Sequence, residues 1–394
     1  MGDIKKVRLG SEVFFESLPS WFSAKRLGLL SNQASVDSSF CHVGDLIQAA
    51  GGNLRCLFSP QHGFGAEKQA NMHESSDGWS VGLRVPIFSL YGAVRQPTAQ
   101  MLQEIDVLLV DLQDVGTRVY TYGITMGLCL EMASQVGVQV IVMDRPNPIG
   151  GINIEGNLLD QECRSFVGRY RIPMRHGLTM GELARLIVEE AKLDCDLRII
   201  SMEGWQRSHL FPDTGLPWVY PSPNMPTWET SLLYPGMVLF EGTNISEGRG
   251  TSLPFQLFGA PFLRQVDLQT KLAGSGLDGV VLRPVTFEPV FDKWRATTCY
   301  GFQIHITDPR RFRPFQLGLL LLQALYRTHP EEFRWLPPPY EYETEKLPID
   351  IIIGKRGITQ ILEEGGDIGD LESAWSTDLE MYWEYCQRFF LYAG

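Results

Sequence analysis

The chain lacks any apolar run approaching the roughly 20 residues that a membrane-spanning helix needs, so it reads as a protein without a membrane span. It also lacks a block of lysine or arginine, and its formal net charge is −12. Without a basic stripe to displace counterions, a nucleic-acid partner is not expected. None of the seven cysteines (41, 56, 129, 163, 195, 299 and 386) falls in a C-x-x-C pair, and their number is odd. That argues against a disulfide framework and a zinc site, and for free thiols in a reducing compartment. Residues Met1 to Gly10 hold two lysines and an arginine but no apolar stretch of the signal-peptide kind. A cytoplasmic location is therefore expected, with the oligomeric state left open.

Several catalytic signatures are missing as well. There is no Walker A sequence, no G-x-S-x-G and no H-E-x-x-H; His73-Glu74-Ser75-Ser76-Asp77 starts like a zinc motif without its second histidine. Gly274-Ser275-Gly276-Leu277-Asp278-Gly279 matches G-x-G-x-x-G, but a helical stretch precedes it and a strand follows. A dinucleotide site needs the opposite order, so this segment reads as a helix stop and a turn.

What is present is the length and apolar content for two cores: 394 residues, 44% hydrophobic and 20% charged. In the first half, short apolar runs at Arg26–Leu30, Leu54–Phe58, Val85–Leu90, Ile105–Val110 and Val138–Met143 alternate with helical stretches at Gly44–Ala50, Thr98–Glu104 and Gly123–Val136. That alternation predicts an α/β domain, a parallel sheet with helices on both faces. Gly204 to Thr230 then holds five prolines and three tryptophans. Such proline density excludes regular structure, and the tryptophans favour an ordered segment crossing between domains. The first domain is accordingly placed at 1–228 and the second, smaller and α/β or α+β, at 229–394. Val280–Arg283 and Tyr300–Ile306 are its predicted strands, and Phe315–Tyr326 and Leu371–Leu391 its predicted helices.

Asn32, His62, Asp111, Asp114, Asp144 and Asn147 all follow directly on apolar strands. Ligands of open parallel sheets bind beyond the carboxyl ends of the strands, so these residues are expected to converge on one crevice. Helix caps and turns are the plain alternative for any one of them. Three loops are dense in reactive side chains. Pro60–Ser76 carries Gln61, His62, Glu67, His73 and Glu74; Asp111–Tyr122 carries two acids, Arg118 and Tyr120; Phe240–Thr251 carries Glu241, Asn244, Glu247 and Arg249 among three glycines. The last could equally be a solvated turn. These loops supply carboxylates, imidazoles, arginines and aromatics without a nucleophile triad or clustered metal ligands. Such a set suits glycosidic-bond hydrolysis, where a carboxyl protonates the leaving oxygen and a second group stabilises charge at the anomeric carbon.

At these same positions the chain resembles the NamZ family, the exo-β-N-acetylmuramidases. The match takes in Ser31-Asn32-Gln33, Pro60–Gly63, Asp111–Tyr122, Asp144–Gly151, Ile154–Gly156, Arg175–Gly177, Gly181–Leu183, Pro221–Asn224 and Phe240–Thr251. The resemblance implies a Rossmann-like N-terminal domain, a smaller C-terminal one and an active site in the cleft between them. It further implies release of N-acetylmuramic acid from peptidoglycan-derived saccharides or muropeptides, with no cofactor, in a family whose members are often exported. Many members carry Glu-His-Gly where this chain has Gln61-His62-Gly63, and that glutamate is the leading candidate for the acid. An amide cannot donate the proton. Glu74, which matches a family Gly-Glu pair, and then Glu67 are the expected catalytic carboxyls here, with His62 beside them. Substrate binding is expected from Asn32, Gln61, Asp111, Asp114, Arg118, Tyr120, Asp144, Arg145, Asn147, His176, Glu241, Asn244, Glu247 and Arg249. Of these, Arg118, Arg145 and Arg249 are the candidates for the lactyl carboxylate, which a planar guanidinium fits. The rival reading is a sugar-binding protein that kept the cleft and lost the acid. Neither metal nor nucleotide is expected to be required, so chelation should leave turnover unchanged; loss on chelation, restored by zinc or magnesium, would refute this.

Overall fold

A computed structural model describes residues 6–69 and 72–393. Its main sheet has seven strands: β1 (Arg26–Ser31), β2 (Asn53–Ser59), β3 (Gly78–Ser80), β4 (Val85–Ser89), β5 (Val107–Asp111), β6 (Gln139–Met143) and, further along the chain, β9 (Leu197–Ile200). They lie in the order β3-β4-β2-β1-β5-β6-β9, all parallel except the edge pair β3–β4. The apolar runs are continuous because both faces are covered. Leu27, Leu29, Val107 and Leu109 face a core with Phe14, Phe22 and Ile47. Their neighbours Leu30, Leu108 and Val110 face the opposite way, onto the cluster that holds Ile124 and Cys129 of the helix Tyr122–Val136. β9 and the two-stranded ladder of β7 (Glu155–Leu158) and β8 (Pro173–Arg175) were not foreseen from the sequence. β7 is too short and too polar to show an apolar run.

The second half builds a three-stranded antiparallel sheet, β10 (Leu257–Ala260), β12 (Cys299–Ile306) and β11 (Val280–Phe287) in that spatial order. Two helices, Trp228–Met237 and Pro314–Thr328, cross at Gly236 and Gly318. A Cβ on Gly236 would lie within 1.9 Å of the Pro314 carbonyl, so only glycine permits this approach. One apolar cluster runs from the main sheet through Leu232 and Phe240 to Phe258 and Phe315, joining the two halves. The expected single helix over Leu371–Leu391 is broken into Ile368–Ser373, Ser376–Cys386 and a short 3-10 turn. Among the described residues no helix is long and apolar enough to cross a membrane.

The crossing segment is pinned from below. Asn32 Nδ2 donates to the Pro221 carbonyl at 2.7 Å, and the Tyr122 hydroxyl donates to the same oxygen at 2.6 Å. The C-terminal tail returns to the first half. Arg207 donates to Glu182 at 2.6 Å, Leu391 N to the same carboxylate oxygen at 3.0 Å, and the guanidinium covers the Phe390 ring. Arg207 and Glu182 are both buried. Breaking a buried pair by removing one partner typically costs about 3–5 kcal/mol, because the other charge stays behind unpaired. Arg207→Met should therefore lower unfolding free energy by an amount of that order in urea titrations, and a loss below about 1 kcal/mol would show the pair to be dispensable.

Candidate active site

The chain reverses its strand order between β1 and β5, the place where an open parallel sheet leaves a crevice. A narrow cavity with about 30 Å³ of free space, room for a water or two, is lined by residues that follow these strand ends. Gln61 and His62 come from the end of β2, and Val119 to Tyr122 from the loop after β5. The crossing segment adds Ser222, Asn224 and Met225. The second half closes it with Tyr234, Glu241, Arg249, Phe255, Tyr340 and Glu341.

His62 sits at φ 75°, and its Nδ1 lies 2.7 Å from the Lys68 carbonyl. A carbonyl can only accept, so Nδ1 carries the proton and Nε2 keeps its lone pair. Burial pushes the imidazole pKa down to about 4, leaving the ring neutral at physiological pH.

Gln61 is held from two sides. The Thr121 hydroxyl donates to its Oε1 at 2.7 Å, and its Nε2 donates to a carboxyl oxygen of Glu341 at 3.2 Å. The Tyr91 hydroxyl donates to the other Glu341 oxygen at 2.6 Å. Glu341 is only 3% exposed. Burial pushes its pKa up to about 7 against those two hydrogen bonds, and the nearby Glu241 adds to the rise. The carboxyl rides on a two-residue hairpin turn closed by paired backbone bonds between Tyr340 and Glu343. Its central residues, Glu341 and Tyr342, have φ of 45° and 68°. Turns with both central residues left-handed usually take Asn-Gly, and side chains there cost roughly 1–2 kcal/mol each.

Arg249 and Glu241 meet at 2.5 Å, and the Tyr340 hydroxyl donates to the other Glu241 oxygen at 2.6 Å. Glu247 lies 3.0 Å from Arg249 Nε and 2.9 Å from Lys293. Burial works against ionisation of Glu247, but the two cations outweigh it and hold its pKa below the usual carboxylate range. Arg249 is itself buried, and its Nη1 finds no hydrogen-bond partner among the described residues. Gly248 and Gly250 flank it at φ 80° and 77°, and a Cβ on Gly250 would meet the Phe291 backbone at 2.5 Å. The glycines of this loop thus serve a close backbone approach, and Arg249 between them lines the cavity.

Residues 27–229 match the family described as exo-beta-N-acetylmuramidase NamZ, N-terminal, and residues 232–392 match its C-terminal counterpart. The peptidoglycan beta-N-acetylmuramidase NamZ of Bacillus subtilis (strain 168) is 38% identical over 388 residues, 98% of this chain and 92% of that protein. The chain belongs to the NamZ family. Crystal structures of two DUF1343 family proteins from Bacteroides fragilis NCTC 9343 share its fold. One superposes with a TM-score of 0.87 at 30% identity, covering 98% of this chain and 99% of the other. The second gives 0.78 at 26% identity, covering 99% of each.

Of the residues expected from the NamZ motifs, Gln61, His62, Tyr120, Glu241 and Arg249 line the cavity, and Glu247 supports Arg249. The others do not line the cavity. Asp111 pairs with Arg145, which also donates to the Val36 carbonyl. The two terminal nitrogens of Arg118 donate to the carbonyls of Asn157, Ile172, Ile352 and Ile353, its Nε is buried without a partner among the described residues, and burial lowers its pKa to about 10. Asp144, pushed up to about 6 by burial, accepts from Thr179, Gly181 N and Tyr392. Asn147 donates to the Leu178 carbonyl, His176 faces Asp114 at 3.3 Å, and Asn244 pairs with the 332–334 backbone. Glu67 and Glu74 are exposed and outside the cavity lining; Glu74 lies 3.1 Å from Arg95. Tyr234, Tyr340 and Glu341 went unseen in the sequence. The one signal was Pro337-Pro338-Pro339-Tyr340-Glu341-Tyr342, a carboxylate framed by tyrosines after a proline run.

The burial of His62 generates a direct test. Its ring ¹⁵N resonances should titrate with a midpoint near pH 4 and stay in the Nδ1–H tautomer above it. A midpoint near the ordinary 6.5 would mean that the ring is solvated.

Proposed function

We propose that this protein is a glycoside hydrolase that releases terminal N-acetylmuramic acid from peptidoglycan-derived saccharides. The observation that carries the reading is a pair of buried carboxyl groups, Glu241 and Glu341, on one enclosed cavity. Membership of the NamZ family, one of whose members is named as a peptidoglycan beta-N-acetylmuramidase, supports it. Hydrolysis through an oxocarbenium-like state needs two such groups, one to protonate the departing oxygen and one to stabilise positive charge or activate water. Tyr120, Tyr234 and Tyr340 offer ring faces and hydroxyls to a sugar. A wider recess of about 420 Å³ shares Glu241 and Tyr340 with the cavity and is rimmed by Pro337, Pro339 and Pro348. We assign the leaving saccharide or its peptide to that recess.

Among the three arginine candidates, only Arg249 lines the cavity. Its buried Nη1 supports a role in binding the lactyl carboxylate, since an unpaired buried donor is costly until a ligand meets it. All seven cysteines are unpaired, which supports action on soluble muropeptides in a reducing compartment.

Gln61 keeps one other reading alive, a muropeptide-binding protein without turnover. A chromogenic β-muramide separates the two: we expect release of the chromophore together with free N-acetylmuramic acid. Tight binding of muramyl saccharides with no release would establish the binding protein instead. Arg249→Lys should raise KM for muramides by roughly tenfold or more, the effect of losing about 1.4 kcal/mol. It should do much less to the matching glucosaminide, which has no lactyl group. Equal losses on both would remove Arg249 from this role.

A further inference from the structure

We propose that Glu341, carried by the second half of the chain, is the proton donor to the leaving glycosidic oxygen, in the place that Gln61 cannot fill. The proposal rests on the hydrolase reading above. Its first support is position. Glu341 reaches the cavity from the far side and ends 3.2 Å from the Gln61 amide, so the two side chains occupy adjoining positions on the same wall. Gln61 then acts as a positioning residue. Thr121 fixes its oxygen, and that leaves its NH₂ to hold one oxygen of Glu341.

The second support is the difference between the two buried carboxyls. Both oxygens of Glu241 accept from strong donors, Arg249 at 2.5 Å and the Tyr340 hydroxyl at 2.6 Å. That environment suits a group that faces developing positive charge. Among the described residues Glu341 is hydrogen-bonded by a phenol and an amide and has no cation at ion-pair distance, and Arg249 acts on it only from further off. Its pKa, pushed up to about 7 by burial, keeps much of it protonated near neutral pH. Two carboxyls in such unlike surroundings, one met by a guanidinium and one by neutral donors, is the arrangement that divides acid from charge stabiliser.

The third support is the backbone. Glu341 and Tyr342 both hold left-handed conformations, and the turn is fastened by Glu341 N to Met72 Sδ and by Tyr342 stacked 3.7 Å from the Arg95 guanidinium. Side chains kept in such conformations by surrounding contacts concentrate at functional sites. The carboxyls on the β2 loop do not compete on geometry, since neither Glu67 nor Glu74 lines the cavity.

In the step itself, the C1–O bond breaks with its electron pair going to the oxygen, which takes the proton from Glu341. The leaving sugar departs as an alcohol. Water supplies hydroxide to C1, and its remaining proton returns, directly or through solvent, to the Glu341 carboxylate.

The test compares a 4-nitrophenyl β-muramide, whose leaving group needs no proton, with a β-linked muramyl-glucosamine disaccharide, whose leaving group does. For the unmodified protein, kcat on the disaccharide should fall as pH rises through about 7, while kcat on the nitrophenyl glycoside stays flatter. Glu341→Gln should lose roughly a hundred- to ten-thousand-fold in kcat on the disaccharide, the usual worth of general acid catalysis. It should lose far less on the nitrophenyl glycoside, and its alkaline limb should vanish. Glu341→Asp, which keeps the carboxyl, should recover part of the disaccharide activity. Equal losses on both substrates, an unchanged pH profile, or a leaving-group-dependent loss seen in Glu74→Gln or Glu67→Gln instead would each overturn the assignment. If Glu341→Gln does not fold, the two pH profiles of the unmodified protein decide alone, and parallel profiles overturn the proposal. An unmodified protein that turns over neither substrate would reject the hydrolase reading, and the proton donor with it. Activity in the unmodified protein with a wild-type-like Glu341→Gln rejects only the donor.

Discussion

A carboxyl group taken out of water must be met by donors or give up its charge, and that constraint ties the two halves of this chain together. Glu341, from the second half, is met by Tyr91 and Gln61 from the first. Glu155, from the first, accepts from Arg175 and from Phe315 N at the start of a second-half helix. Glu182 is met by Arg207 and by the returning tail. Arg118 applies the same rule with opposite sign, spending its donors on carbonyls from both halves. A buried ion pair adds little stability over a well-packed apolar contact, yet losing one partner is expensive. Such pairs therefore fix how the halves sit more than they hold them together, and the continuous apolar cluster supplies the attraction.

The same economy shapes the cavity. Glu241, Arg249, Glu247 and Lys293 form a chain of alternating charges that leaves only the Arg249 Nη1 side open. Glu341 stands outside that chain, close enough to feel Glu241, which raises its pKa, and more weakly Arg249, which lowers it. His62, with its proton committed to a backbone carbonyl, adds no charge. One cavity thus holds a carboxyl met by Arg249 and Tyr340 and another for which burial makes neutrality cheap. That contrast is what acid-assisted glycosidic cleavage calls for.

The sequence showed the main sheet clearly. Runs such as Arg26–Leu30 and Ile105–Val110 are apolar on both faces, a pattern that only a doubly covered parallel strand produces. It also showed the loops that approach the cavity, because Gln61, His62 and Arg249 sit among glycines and directly after strands or helices. It showed poorly what each polar residue does there. Asn32, Asp111, Asp144 and Asn147 lie at strand ends as expected, but all four bond to neighbouring scaffold, the turn-and-cap alternative that always competes at such positions. Strand β7 and the break after Ser373 left no periodic trace, being short and partly polar.

By itself the sequence determined the α/β class, the strand-end placement of Gln61 and His62, and, through motifs spread over most of the chain, the NamZ resemblance. These follow from local periodicity and short spacing, which any stretch of chain carries within itself. Tertiary structure alone decided that Glu341 stands beside Gln61, 280 positions earlier in the chain. In the sequence Glu341 is one of several acids in a charged stretch that reads as solvent-facing. Only the docking of that turn against Tyr91 removes the water around it, and with the water goes the carboxyl's ordinary preference for charge.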